Sequence, residues 1–405
     1  MTKLEIIQVL KKTDRPIIIC GAGIVGERLL EICRTESISI TCFCDGSIKT
    51  AGNECCGLEI IHTPSLHTRF DDAVCLISAV AIKDVVEMLE VQGFKDWYAG
   101  GVLLKDIDIT QDNPDASLDY MKFAIDNCIL CQDAYLHPEK LFLRSIDLII
   151  TERCSLRCRD CSNLMQYYEH PKNCDSQMLL ESINKFCEII DEIMDFRIIG
   201  GETFMNREWH IPTKHLLDQP KARRIVLYTN ATILPHPKYT ELLQNDKVLI
   251  IATDYGAHLS KKLPEFKQYM EDNHIRHNIL KMTEWLDCSA IGRHNRTKEE
   301  NLEIFKLCCA KNMATLSDGK LFRCPYAANA FRLNAVPDCP QDYVDIFSDG
   351  TILELKTKMR DYLASTDNLS ICDYCNGRPL SGVEVEPAVQ AEQPLPYKKI
   401  LTEDK

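Results

Sequence analysis

The sequence contains no run of about 18 apolar residues of the kind that spans a membrane. It also lacks a basic excess: 47 Lys and Arg stand against 60 Asp and Glu, for a formal net charge of −13. A chain built to grip phosphate backbones is normally basic, so bulk nucleic-acid binding is not expected. No HExxH zinc helix, GxSxG serine elbow or P-loop occurs, which removes three common hydrolase and nucleotidase signatures. There is no long internal repeat and no low-complexity block. Residues 1–15 mix acids and bases in a short amphipathic pattern unlike a secretory signal. The expected compartment is the cytoplasm, and neither membrane nor nucleic acid is an expected partner.

What the chain does have is cysteine. Its 405 residues, 45% hydrophobic and 26% charged, suit two or three soluble domains with cores of their own. Twenty-one of them are cysteines, too sparse for a small disulfide scaffold and unusually many for a plain cytosolic enzyme. In a reducing compartment these are thiols or metal ligands rather than bridges.

The hydrophobic pattern divides the chain. An apolar run at 16–20 leads into Gly21-Ala22-Gly23-Ile24-Val25-Gly26 and a helical stretch. A second run from Ile38 to Cys44 ends in Asp45, and a third, Val74 to Val80, precedes another helical stretch. Strand–helix alternation of this kind implies a parallel sheet covered on both faces, so 1–105 is expected to be a Rossmann-like domain. Residues 106–140 are expected to be a connector. Alternation resumes with strands at 143–151, 195–201, 223–230 and 247–256, which predicts a partial (β/α)6 barrel over 141–300. Residues 301–380 form a cysteine-rich extension, and 381–405 an irregular tail.

Directly after the first strand of the second unit stands Cys154-Ser-Leu-Arg-Cys158-Arg-Asp-Cys161. Three thiolates on one tight loop can face a single iron–sulfur cube and leave one iron without a protein ligand. A zinc knuckle borrowing a fourth ligand is the alternative. In the extension, one of Cys308 and Cys309 combines with Cys324, Cys372 and Cys375 to give four thiolates, and Cys308 is preferred. A zinc ribbon fits the same spacing, and Cys339 is a spare. The other cysteines mostly fall within strands or on apolar helix faces, as core thiols do.

CxxxCxxC at the end of the first barrel strand resembles the radical SAM superfamily. Gly200-Gly201-Glu202-Thr203 is similar to that family's GGEP segment, with Thr203 in place of the proline. Thr229-Asn230 and Thr253-Asp254 resemble its polar strand ends. The four segments fall at the carboxyl ends of strands, where parallel barrels keep their sites. Asp160 stands where many members carry an aromatic residue before the third cysteine.

The resemblance implies a [4Fe–4S] cluster on Cys154, Cys158 and Cys161. Its open iron would chelate S-adenosylmethionine, with Gly200, Gly201, Glu202, Thr229, Asn230, Thr253 and Asp254 around the bound molecule. It also implies reductive cleavage to a 5′-deoxyadenosyl radical that takes hydrogen from a substrate, with flavodoxin or ferredoxin as electron donor. The extension resembles the twitch form of the SPASM domain, which holds one auxiliary [4Fe–4S] cluster.

Oxidation, epimerisation and peptide crosslinking are all outcomes open to such an enzyme. Cys288 is a candidate hydrogen donor for epimerisation, against the plainer reading of a buried core thiol. Arg157 and Arg159 flank the cysteines and either tune the cluster, bind an anion or face solvent.

Gly21, Gly23, Gly26 and Asp45 satisfy a dinucleotide fingerprint, with the acid close to the expected 20 residues further on. The unit is only half of a full dinucleotide fold. It resembles the small Rossmann-like domain of sugar-modifying proteins, which implies a nucleotide-sugar; a docking role without ligand is the alternative. The combined expectation is a radical SAM oxidoreductase or epimerase acting on a sugar or nucleotide-linked sugar. A maturase crosslinking a ribosomal peptide and a zinc-binding scaffold are the rivals.

Overall fold

The computed structural model describes residues 1–48, 50–109, 118–379 and 382–400. Positions 110–117 of the expected connector and 401–405 of the expected tail lie outside them. The chain divides into two compact units, Met1–Lys140 and Leu141–Lys405. Among the described residues no helix is long and apolar enough to cross a membrane.

The first unit runs α1 (Lys3–Lys12), β1 (Ile17–Cys20), α2 (Ile24–Thr35), β2 (Cys42–Asp45), β3 (Glu54–Cys55), β4 (Leu58–His62), β5 (Val74–Ile77), α3 (Ile82–Val91), β6 (Trp97–Ala99), α4 (Gly101–Leu104) and α5 (Leu118–Leu136). Its sheet has the order β3-β4-β2-β1-β5-β6, parallel except for the β3–β4 hairpin. Alternation along β1 sends Ile17 and Ile19 into a core with α1, α2 and α5, while Ile18 and Cys20 join Cys42, Cys44, Cys75 and α3 on the other face. Both faces are therefore covered, as the unbroken apolar strands predict.

Residues 118–136 do not act as a connector. Ile125 and Cys128 of α5 sit in the first core. Gln132 ties α5 to the sheet, its Nε2 donating to the carbonyls of Ile77 at 2.9 Å and Ala79 at 3.1 Å, while Oε1 accepts the Gly101 N–H at 2.7 Å.

The second unit continues with β7 (Phe142–Thr151), α6 (Ser176–Ile189), β8 (Glu192–Gly200), α7 (His210–Leu217), β9 (Ala222–Thr229), α8 (Thr240–Leu243), β10 (Val248–Asp254), α9 (Leu263–Asp272) and β11 (His277–Lys281). Then follow β12 (Trp285–Leu286), α10 (Lys298–Leu307), β13 (Thr315–Ser317), β14 (Lys320–Phe322), α11 (Pro325–Arg332), β15 (Tyr343–Asp345), α12 (Ile352–Ala364) and β16 (Glu384–Val385). The main sheet has the order β11-β10-β9-β8-β7-β13-β14-β15. Five β/α repeats lie side by side in chain order. The sixth parallel strand is β13, which the cysteine-rich extension adds to the free edge of β7. The segments 141–300 and 301–380 thus share one sheet.

One face of this sheet packs Leu148, Ile150, Ile198, Leu227 and Ile250 against Phe186 of α6 and Phe266 of α9. On the other face Ile149 and Ile199 meet Phe322, Tyr326 and Ala327 of the extension. The tail is not wholly irregular: β16 pairs antiparallel with β12.

Candidate functional site at the strand ends

The carboxyl ends of β7, β8 and β9 are pressed together. Gly200 and Gly201 are required by that approach: a Cβ on the first would lie 2.2 Å from the Thr151 carbonyl oxygen, and on the second 2.2 Å from that of Arg153. The Gly201 N–H donates to Thr151 at 3.0 Å and the Glu202 N–H to Arg153 at 2.8 Å. These bonds fix the loop that carries Cys154, Cys158 and Cys161. From the far side Arg332 of α11 forms a buried ion pair with Glu152 at 2.8 Å.

Glu202 is fully buried. One carboxylate oxygen accepts the Thr229 hydroxyl at 2.7 Å and the Phe204 N–H at 3.0 Å; the other accepts the Asn230 N–H at 2.7 Å. Burial nevertheless outweighs these donors and pushes the carboxyl up to about 7. The Asn230 amide donates on to Ser155 Oγ at 3.1 Å and to Cys154 Sγ at 3.7 Å. Glu202, Thr229 and Asn230 thus form one network that reaches the first cysteine.

Thr253 and Asp254 end β10; the Ser260 hydroxyl reaches the carbonyls of both Thr253 and Asn230 at 3.5 Å, while the Asp254 carboxylate accepts the Gly256 N–H at 2.8 Å and closes its own turn. Tyr255, which the sequence reading passed over, faces the three cysteines. Burial and the sulfurs raise its hydroxyl, and its ring meets Trp285 edge-on with centroids 5.6 Å apart. An aromatic residue immediately after a polar strand end was the available signal.

Burial raises all three thiols, Cys158 to about 12. Opposing it, the N–H groups of Asn163, Leu164 and Met165 converge on Cys161, and the Gln390 amide donates to Cys158 at 3.3 Å. Donors aimed at sulfur favour the thiolate that a metal ligand must become. A single zinc ion with bonds of about 2.3 Å would hold sulfurs about 3.8 Å apart. Among the described residues, only Glu27, Cys55 and Cys56 bring three such ligand atoms all within 4.8 Å of one another. Each of Cys154, Cys158 and Cys161 instead receives at least one hydrogen-bond donor from its surroundings.

In the extension, Cys308, Cys324, Cys372 and Cys375 line one cavity of about 30 Å³ together with Phe305 and Tyr326. Cys324 caps α11, its sulfur accepting the Ala327 N–H at 3.4 Å, and Cys375 accepts the Gly377 N–H at 3.3 Å. A helix N-terminus favours thiolate. Arg296 holds the Cys372–Cys375 loop by donating to both carbonyls, at 3.0 and 2.9 Å. Cys309 is exposed and does not line the cavity, nor does Cys339. Cys288 is buried, its thiol pushed up to about 11, and the charged groups that act on it are Arg378, Cys375, Cys308 and Cys309. Its neighbour Ser289 reaches the Cys154–Cys161 loop, the hydroxyl donating to the Arg159 carbonyl at 3.5 Å. Arg157 donates to the Glu392 carbonyl at 3.0 Å, so its guanidinium binds the tail.

On the sheet face turned away from the helices, Asp147 and Arg197 form a buried ion pair and Arg197 lies over the Tyr228 ring, 5.6 Å from its centroid. Burial pushes the neighbouring Asp195 up to about 6, and its Oδ1 has no hydrogen-bond partner.

In the first unit the glycine loop is self-packed. Gly21 has φ +115°, and a Cβ on Gly26 would lie 2.1 Å from the Gly21 carbonyl oxygen; Gly23 faces open space. The Asp45 carboxylate accepts the N–H groups of Ala22 at 3.1 Å and Ser47 at 2.8 Å, so it holds the loop.

No family model and no curated protein matches the chain. Solved structures of radical SAM enzymes do resemble it. BtrN in complex with AdoMet and 2-DOIA has a TM-score of 0.36 and 14% identity, covering 62% of this chain and 97% of that one. The anSMEcpe structure with bound AdoMet and a Kp18Cys peptide has 0.35 and 12%, covering 60% and 93%. Streptococcus suis SuiB bound to S-adenosylmethionine has 0.29 and 12%, covering 55% of this chain and 50% of that one.

Proposed function

We propose that the second unit is a radical SAM dehydrogenase of a small hydroxyl-bearing substrate, a sugar or nucleotide-linked sugar. The observation that carries this reading is the convergence at one set of strand ends. Three thiols on one loop each receive a hydrogen-bond donor, and the first of them is joined through Asn230 to a buried carboxylate. The donor set fits a [4Fe–4S] cluster on Cys154, Cys158 and Cys161 and another on Cys308, Cys324, Cys372 and Cys375. With S-adenosylmethionine bound, the first would supply hydrogen-atom abstraction from a carbinol carbon, and the second would accept the remaining electron as the carbonyl forms.

The chain's own residues do the rest. Glu202 fixes the β9 terminus and keeps one acceptor position for an ammonium group. Tyr255 and Trp285 offer an aromatic face, supplying what Asp160 does not. The polar inner face at Asp147, Asp195, Arg197 and Tyr228 suits a substrate rich in hydroxyls. Dehydrogenation is preferred over epimerisation because four thiols line a second cavity, where an electron-accepting cluster would be held. In the first unit Gly23, at the open N-terminus of α2, is the position for a nucleotide phosphate.

The test is anaerobic reconstitution followed by an iron count and an assay for 5′-deoxyadenosine. About eight irons per chain are expected for two cubes. Bound zinc with no iron overturns the reading. The Cys158→Ala variant is expected to release no 5′-deoxyadenosine; wild-type release from it would refute the ligand assignment. With candidate hydroxyl-bearing substrates, loss of two mass units supports dehydrogenation, whereas one deuterium gained from deuterated buffer overturns it in favour of epimerisation.

A further inference from the structure

The tail beyond β16 is attached to the cysteine loop along its length. The Arg159 N–H donates to the Val389 carbonyl at 2.7 Å, and the Ala391 N–H donates to the Arg157 carbonyl at 2.7 Å. These bonds make a one-residue antiparallel bridge between Cys158 and Gln390. Further on, the Leu395 N–H donates to the Gln166 carbonyl at 2.9 Å. The Tyr397 hydroxyl donates to the Leu333 carbonyl at 3.0 Å, while its ring packs edge-on against Tyr167 at 5.6 Å. Ala388, at the start of this segment, is 2% exposed. Leu395 and Tyr397 are half-buried against the same core as Tyr167, while Gln390 itself lies at the surface.

Within that bridge the Gln390 side chain has one workable orientation. Its Oε1 accepts the Arg157 N–H at 2.7 Å, and its Nε2 donates to the Ala388 carbonyl at 2.7 Å and to Cys158 Sγ at 3.3 Å. Rotating the amide by half a turn would set its NH2 against the Arg157 N–H and its oxygen against the Ala388 carbonyl. Two backbone groups therefore aim an N–H at the sulfur.

We propose that residues 387–397 are a strap over the Cys154–Cys161 loop, and that Gln390 is the positioning residue that holds Cys158 and tunes the metal group bound there. The inference rests on the cluster reading above only for its second half. Gaining an electron makes a thiolate-bound cluster more negative, and a hydrogen bond to the thiolate stabilises that form. Gln390 thus raises the reduction potential. Gln390→Glu keeps the acceptor for Arg157 but loses the N–H, and it places a negative charge beside the sulfur.

The strap is tested first in metal-free full-length protein, by alkylating thiols and following Cys158 by mass spectrometry. Gln390→Glu, and separately a chain ending at Glu386, are expected to label Cys158 at least about tenfold faster than the wild type, with Cys339 unchanged as internal control. Equal labelling of Cys158 in all three overturns the strap, whether or not the protein binds iron. The second half is tested on reconstituted protein by spectroscopic redox titration. At a fixed potential, Gln390→Glu is expected to hold about tenfold less reduced over oxidised cluster, equivalent to 59 mV for one electron. An unshifted or raised midpoint overturns the tuning role. A wild type that takes up no iron is a failure of the cluster reading, and the alkylation result still decides the strap.

Discussion

Glu202 gives the most searching test of the strand-end site, because its two states are read by pH. Its carboxyl titrates near 7 in the fold and near 4.5 when unperturbed. Burial is the largest cause, and it overcomes three donated hydrogen bonds. Between about pH 4.5 and 7 the folded chain keeps a proton that the unfolded chain has released. Stability follows that difference, so the contribution of Glu202 is complete below about pH 4.5 and is lost as pH rises through about 7. A gap of about 2.5 units at about 1.4 kcal/mol each comes to roughly 3.5 kcal/mol.

Glu202→Gln keeps the shape and cannot titrate. Its NH2 would confront one of the three donors, so the variant is expected to be about 1–2 kcal/mol less stable than the wild type at pH 4.5. By pH 8 the wild type should have lost that advantage, and the two curves should meet or cross. Urea unfolding of the metal-free proteins over this range checks it. Asp195 and Asp342, both pushed up to about 6, titrate in both chains and cancel in the comparison. A gap that stays constant with pH would refute the account of this carboxyl. The binding side follows from the same charge. S-adenosylmethionine should bind the wild type more tightly as pH rises through 7, and the variant should lose roughly 1.5–3 kcal/mol, or ten- to a hundredfold in Kd. Equal Kd values would remove Glu202 from the ligand site while leaving its structural role intact.

Two further substitutions separate assignments that lie close together. Cys308→Ala should lower the iron of reconstituted protein by about four per chain, while Cys309→Ala leaves it unchanged, because only Cys308 lines the cavity with Cys324, Cys372 and Cys375; the opposite pattern would exchange the two roles. Gly26→Ala drives a Cβ to 2.1 Å from the Gly21 carbonyl oxygen and should cost the first unit about 3 kcal/mol or more, whereas Gly23→Ala meets nothing within 4 Å and should leave thermal unfolding within about 0.5 kcal/mol. A benign Gly26→Ala would show that the loop is not packed as described.

The parts of the molecule legible in the sequence are those in which neighbours along the chain do the work. Continuous apolar runs mark the buried parallel strands, and each polar strand end follows its run directly, so the strands and the position of the cysteine loop can be read together. Long-range roles were harder to see. Gly200 and Gly201 look like room for a ligand, yet their space is taken by the carbonyls of Thr151 and Arg153. Asp45 has the spacing of a ribose ligand, and its carboxylate also holds the N–H groups of Ala22 and Ser47, which the spacing does not show. The helix α5 is tied to its sheet by the polar residue Gln132, which an apolar pattern does not single out.

The tail shows the limiting case. Its attachment to the cysteine loop runs through the backbone groups of Arg157, Arg159, Val389 and Ala391, which any non-proline residues could provide. A contact made by main chain leaves no mark on composition, and a stretch rich in Pro, Glu and Lys therefore reads as irregular even where its backbone is hydrogen-bonded. Gln390 does carry information in its side chain, but its meaning depends on a sulfur more than two hundred residues earlier. That division follows from the physics. Sequence patterns report what an element buries along its own length, while an active site is assembled from strand ends and loops whose partners are set by the closed fold. Gln390 and Tyr255 both belong to the second class, which is why substitutions at these two positions probe the site in a way that changes to the cysteines alone do not.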